Sequence, residues 1–258
     1  MERALQWILP ALTGACLLAL WYVALRLDWV AEFMLPPPHR ILAAIWENRG
    51  EMSRAGAYTF YAAILGFFAA VLGGALIAML LASHRWVKAS FHPFVLMLQM
   101  TPVIVITPII GLWLEDALGR IVTITFIISF FPVVANTTLG LVSTDKNLID
   151  LFAVYGATRR QEILFLKLPF AVPYFLTGMK IAGTLAPIGA ITGDFLLGTS
   201  KAPGLGYLLL TYLHRGQIDA LFGIAVLACL AGFIFVALVY ALDYVLLHAW
   251  HESKQVNE

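Results

Sequence analysis

The chain has 258 residues, 61% of them hydrophobic and only 12% charged, with a formal net charge of +1. An average globular domain carries about twice that share of charge, so a water-soluble fold is excluded and the chain belongs in a lipid bilayer. A balance near zero, without any Lys/Arg-rich run, also excludes nucleic acid as a partner.

A membrane-spanning helix needs roughly 20 mostly apolar residues, and lipid offers the backbone no hydrogen-bond partner, so each such run must be helical. Six runs qualify: residues 7–25, 57–82, 91–114, 121–142, 171–197 and 220–247. They predict an all-α integral membrane protein with six transmembrane helices in one domain, residues 1–258. In the first run, LTGAC at residues 12–16 is similar to a lipoprotein cleavage site, but the apolar stretch continues past Cys16 to Leu25, so the run reads as a span. Cys16 and Cys229 both fall inside apolar runs and read as small core residues, not as a disulfide.

Between the first two spans, LPPP at residues 35–38 cannot be helical through its centre. A bent extended strap followed by a short surface helix over residues 41–51 is expected there. The short loop 83–90, with Arg85 and Lys88 and no acid, places that side in the cytoplasm by the positive-inside rule. Counting all loops, with Lys254 at the far end, gives eight basic residues inside and six outside, so both termini are expected to be cytoplasmic.

In the third run Gln99, Thr101, Pro102, Thr107 and Pro108 interrupt the apolar pattern and predict a kinked helix. In the fourth, Asn136, Thr137 and Thr138 do the same. These polar residues read either as interhelical hydrogen bonds or as lining of a solute path. From Asn147 onward, Leu148, Leu151, Phe152 and Tyr155 recur at helical spacing outside the bilayer, so one face of a short helix is apolar and lacks a lipid partner. Gly156 permits a sharp turn into a second helix bearing Arg159, Arg160 and Glu162, which Pro169 is expected to end.

The fifth run carries a stripe of small residues, Ala182, Ala186, Gly189 and Gly193, which reads equally as packing within one subunit or as a seam between two. It also carries Asp194, read as an interfacial helix end reaching water or as part of a gate. Lys180 lies 14 residues earlier, about 21 Å away along a helix, so it cannot pair with Asp194. Lys180 and Asp243 are expected to be snorkelling groups near helix ends. Gly204-Leu205-Gly206 after this run predicts a turn supplied by two glycines.

No Gly-x4-Gly-Lys-Ser/Thr loop and no His-Glu-x2-His motif occur, so no catalytic residue, metal ligand or cofactor is expected in this chain. A secondary transporter would show internal repeats and a buried ion site, and neither is found.

The segment DLFAVYGATRRQEILFLKLP, residues 150–169, resembles the coupling segment of ABC importer permeases. Gly156-Ala157 is followed at that family's interval by Leu168-Pro169, and Asp150 stands six residues ahead of the glycine, in the place where the family writes Glu-Ala-Ala and this chain has Asp150-Leu151-Phe152. The resemblance is to the nitrate, sulfonate and taurine group, with a type I importer permease fold and a cytoplasmic coupling helix pair, residues 143–170, between helices 4 and 5. It implies that Asp150, Leu151, Phe152, Tyr155, Gly156, Ala157, Arg159, Arg160, Leu168 and Pro169 engage a separate ABC ATPase present in two copies. It further implies a second permease copy forming a homodimer, an extracytoplasmic solute-binding protein, and residence in a bacterial inner membrane.

Gln99, Thr101, Thr107, Asn136, Thr137, Asp194, Gly204 and Gly206 are the pathway and gate candidates. LAPIGAITGDFLLGTSKAPGLGYLLL and QIDALF resemble the branch assigned to the hydroxymethylpyrimidine precursor of thiamine. Sulfonate, taurine, nitrate or riboflavin-like solutes are the alternatives. The absence of a basic residue at the centre of a span favours a neutral or weakly basic ring over an oxyanion.

Overall fold

The computed structural model describes residues 2–83 and 85–248. Lys254 lies outside the described residues, as do the side chains of Arg85, Lys88 and Gln99. All the regular elements among the described residues are helical: α1 (Glu2–Arg26), α2 (Pro38–Glu47), α3 (Arg49–Ser83), α4 (Arg85–Met100), α5 (Val103–Trp113), α6 (Ala117–Val142), α7 (Lys146–Val154), α8 (Arg159–Glu162), a π-helical turn (Ile163–Lys167), α9 (Leu168–Leu197), α10 (Leu205–His214) and α11 (Ile218–His248).

Four helical stretches are long and apolar enough to cross a membrane: Arg49–Ser83, Ala117–Val142, Arg159–Leu197 and Ile218–Leu246. Shorter apolar helices are Leu12–Arg26, Val103–Trp113 and Leu205–His214. The third predicted run is two helices rather than one kinked helix. Pro102 stands as the extended N-cap residue of α5, which breaks the α4–α5 path. α4 also begins at Arg85, so most of the expected loop 83–90 is helix.

The strap between the first two long helices differs from expectation in register. Pro38 opens α2, because a proline at the first helical position forfeits an N–H that has no partner there anyway. α2 ends at Glu47 and residues 49–51 already belong to α3. The Tyr22 hydroxyl lies 3.2 Å from His39 Nδ1, and the two rings stack, which ties the end of α1 to α2.

The core is built from α3, α6, α9 and α11, with Ala62, Ala63, Phe67, Ile121, Val133, Met179, Ala182, Ala186, Ala190, Phe235 and Val239 in one buried cluster. Alanine recurs in it because helices in lipid are held by close packing rather than by escape from water. The stripe on α9 serves this contact within the subunit. A Cβ on Gly189 would stand 2.9 Å from the Thr125 Cα on α6, and one on Gly193 would stand 3.2 Å from the Ile121 Cα. At Gly178 it would meet the Pro132 carbonyl oxygen at 2.8 Å and the Val133 Cα at 3.1 Å. Those are backbone atoms, so Gly178→Leu is expected to force α6 from α9 and destabilise the fold by about 2–3 kcal/mol, read as a lowered thermal midpoint in detergent. An unchanged midpoint would refute this packing account.

Cys16 and Cys229 are exposed on the helix surface instead of buried in the core. A thiol is apolar enough for a lipid-facing position, so an apolar run does not distinguish core from lipid face. Lys180 and Asp243 are not independent snorkelling groups: Nζ and Oδ2 lie 3.2 Å apart, joining α9 to α11.

Candidate functional site

Two constellations stand at opposite ends of α9. At the first, Asp145 caps α7 by accepting from the Asn147 N–H, and the helix ends at Tyr155. Gly156 has φ +70°, the left-handed conformation that favours glycine. The Gly156 N–H donates to the Ala153 carbonyl and the Ala157 N–H to the Phe152 carbonyl, a Schellman closure that fixes the turn. Thr158 then opens α8 with a capping box to Gln161. Arg159 donates to the Ser83 carbonyl at the end of α3, which anchors the segment to the bundle. Arg160 and Asp150 are exposed, and Leu168 is half-buried.

Pro169 does not end the second helix. α8, the π turn and α9 form one continuous stretch, Arg159–Leu197. The turn before Pro169 widens so that the Leu168 N–H donates to the Ile163 carbonyl, five residues back, and the wider ring accommodates a residue without an N–H. Glu162 and Lys167 span this turn with an ion pair at 2.6 Å.

The apolar face of α7 is rotated from the predicted one. Val154 and Tyr155 are 84% and 81% exposed, and Leu148 and Leu151 are also exposed, whereas Phe152 is half-buried. Phe165 on the π turn adds a further exposed ring. Sequence reasoning passed over Val154 although it stands three residues after Leu151, because Leu148, Leu151, Phe152 and Tyr155 already made a complete apolar arc without it.

At the second constellation Asp194 is 0% exposed, so it does not reach water. Its carboxylate accepts from the Tyr207 N–H at 2.8 Å and from the Gly204 N–H at 3.3 Å, the free donors at the start of α10. Thr59 on α3 accepts from the Leu205 N–H at 2.9 Å. Gly204 has φ −97°, so the glycine is not demanded by a left-handed turn. Close approach demands it, since a Cβ there would stand 2.5 Å from Asp194 Oδ2 and 2.6 Å from Thr59 Oγ1. Gly206 likewise lies directly against the α9 backbone at Ile191 and Phe195. Thr59 was invisible in the sequence, where nothing links it to a loop 146 positions away.

The remaining candidates are not drawn into one site. Thr101, Thr107 and Asn136 each donate to a carbonyl four residues back, of Met97, Val103 and Pro132, so their polarity is satisfied inside their own helices. The Thr137 hydroxyl is buried without a hydrogen-bond partner, as is that of Ser129, which the sequence reading did not single out. Gln99 lies on α4, its side chain outside the described ones.

Near α10 are two cavities. One, about 480 Å³, is apolar and lined by Met52, Phe60, Leu227 and Ile234. The other, about 470 Å³, is polar and lined by Glu32, Arg40, Glu47 and Asp219. Arg40 pairs there with Asp219 at 2.8 Å and with Glu32 at 3.3 Å. Among the described residues no group of three His, Cys, Asp or Glu side chains is placed to hold a metal ion.

The bundle of apolar helices thus carries an exposed helix-turn-helix at one end of its longest continuous helical stretch, Arg159–Leu197. Residues 70–251 match the binding-protein-dependent transport system inner membrane components, and the chain belongs to this family, the permease subunits of ABC importers, within the nitrate, sulfonate and taurine group. It is a transport subunit rather than an enzyme, and the ATPase of this family is a separate subunit.

The chain is 30% identical to the formylaminopyrimidine transport permease protein of Halalkalibacterium halodurans, over 98% of this chain and 100% of that protein. It is 30% identical to the riboflavin transport system permease protein of Chloroflexus aurantiacus, over 88% of this chain and 84% of that one. It is 28% identical to a putative aliphatic sulfonates transport permease protein of Bacillus subtilis, over 96% and 90%.

Proposed function

We propose that this chain carries an aminopyrimidine precursor of thiamine across a bacterial inner membrane, as the permease of an importer driven by two copies of a separate ATPase. The full-length similarity to the formylaminopyrimidine permease carries the choice of cargo. The paired state of Lys180 supports it: its charge is offset by Asp243, so the bundle offers no free cation there to draw an oxyanion inward. The similarity to riboflavin and sulfonate permeases keeps those solutes as the second reading.

In this reading the whole chain, residues 1–258, is one permease domain of six spans: α1, α3, the broken α4–α5 pair, α6, α9 and α11. Both termini face the cytoplasm, residues 143–170 dock on the ATPase, a second copy completes the path as a homodimer, and a loaded binding protein delivers solute from outside. Leu151, Val154 and Tyr155 form the docking knob, held in place by the Gly156 turn and the Arg159 anchor. Thr107, Asn136 and Thr137 flank the path, and Asp194, Gly204 and Gly206 hold α10 at its outer mouth.

Affinity purification of the chain from its native membrane in mild detergent, with mass spectrometry of bound proteins and small molecules, tests this directly. An ATPase and a binding protein holding an aminopyrimidine are expected. A sulfonate or flavin would replace the cargo alone, and reproducible absence of any ATPase would overturn the coupling role.

A further inference from the structure

The apolar cavity of about 480 Å³ has a polar end and an apolar length. One wall is the α3 stripe Arg49, Ser53, Gly56 and Phe60, which recurs at helical spacing, and the other is the α11 face from Leu227 to Ile234. Arg49 and Ser53 supply the polar side chains, both at the start of α3, and the rest of the lining is apolar. Phe60 lies 11 residues past Arg49, about 16 Å at the helical rise, and one leaflet of a bilayer's hydrocarbon core is about 15 Å deep. Ser53 and Ala57 on one rim and Leu230 and Ile234 on the other are exposed, so the cavity is a groove open along the bundle surface. A Cβ on Gly56 would meet only the Leu205 side chain, at 4.0 Å, whereas Gly66 and Gly74 deeper in α3 lie tight against α6.

The Arg49 guanidinium stands 4.8 Å from the Trp46 ring centre and donates to the Trp46 carbonyl at 2.8 Å, which holds it in place with further N–H donors to spare. Among the described residues no carboxylate pairs with it. Trp46 is exposed on α2 beside Leu42, and such a tryptophan marks the headgroup level of a bilayer.

We propose that this groove binds one glycerophospholipid, its phosphate on the Arg49 guanidinium and one acyl chain lying between α3 and α11 as far as Phe60 and Ile234. Charge and depth select this occupant. A cation at the headgroup level matches a phosphate, which a planar guanidinium binds through paired donors, and an apolar trough one leaflet deep matches the chain below it. The site goes beyond the importer reading and holds for any cargo.

The test uses the full chain, purified in an uncharged maltoside detergent and titrated with phosphatidylglycerol that carries a photoreactive diazirine at the end of one acyl chain. Native mass spectrometry is expected to show one lipid retained per chain, and peptide mapping after irradiation to place the adducts around Phe60 and Ile234. Arg49→Gln should raise the half-saturating lipid concentration about tenfold, the loss of one charge-assisted bond. Arg54→Gln, on another face of α3, should leave it unchanged. Ala231→Phe puts a ring into the groove while keeping Arg49, and should remove the adducts. A glucosyl diacylglycerol with the same label and no phosphate should bind as weakly to the unmodified chain as phosphatidylglycerol binds to Arg49→Gln.

Equal labelling of the exposed Leu72 region of α3 and of the groove would reduce the contact to general solvation by lipid and overturn the proposal. So would an Arg49→Gln titration equal to that of the unmodified chain. Displacement of the label by excess aminopyrimidine would make the groove a cargo site, and loss of labelling whenever the chain runs as a dimer would assign it to a second copy. Either result overturns the lipid assignment.

Discussion

Replacing Val154 and Tyr155 together by alanine is expected to weaken ATPase binding about a hundredfold while the bundle stays folded. Both side chains are more than four-fifths exposed at the end of a helix whose turn is fixed by its own hydrogen bonds. A rigid knob loses little conformational freedom on docking, so most of the burial contributes to affinity. Full burial of one such apolar side chain contributes about 1.5–3 kcal/mol. Truncating both removes about 3 kcal/mol, roughly two decades in Kd. The charges nearby matter less, because exposed ion pairs contribute about 0–1 kcal/mol. Titration of purified ATPase against the detergent-solubilised permease measures the loss, with Leu72→Ala on the exposed side of α3 as comparator. Equal affinity of the double variant and the unmodified chain would show that α7 is not the docking surface.

The choice of Val154 over Phe152 illustrates what the sequence conceals. At about 100° per residue, Leu148, Leu151, Phe152 and Tyr155 fall within one arc, and nothing in the spacing says which edge of that arc faces the bundle. In the structure Ile149 and Phe152 are the half-buried positions, and Val154 falls in the exposed arc. The long apolar runs were legible because their length alone commits them to helix in lipid. The break at Pro102 was only half legible: a proline can kink or part a helix, and neighbouring packing decides. Pro169 misled for a related reason. The rule that proline stops a helix assumes hydrogen bonds four residues back, and a π turn evades it.

The joint at α10 was legible in part. Asp194 and the two glycines stood out as unusual residues in an apolar setting, but their purpose lies in contacts between segments. One of the two readings of Asp194, an interfacial helix end reaching water, arose because a hydropathy argument treats each residue against lipid or water alone. It is satisfied by neither, since the start of another helix supplies its donors. Gly204 read as a turn residue, whereas the space left by its missing side chain is filled by Asp194 and Thr59.

The same blindness to distant partners hid the Lys180–Asp243 pair, and breaking it is expected to cost more than any other single change in the bundle. Lys180 lies about 18 Å along α9 from Leu168 at the helical rise, with its Nζ 5.9 Å from the Tyr240 ring centre and 3.2 Å from Asp243 Oδ2. Removing one member leaves the other charge in a low-dielectric setting without its counter-ion, which costs about 3–5 kcal/mol for a buried pair. Lys180→Met and Asp243→Leu should each lower the thermal midpoint in detergent sharply. The double variant should recover much of the loss, because two apolar side chains leave no charge unpaired. Thermal scans of the four proteins give the coupling energy as a double-mutant cycle. If the losses of the two single variants simply add, the charges act independently and the pair does not hold α9 to α11.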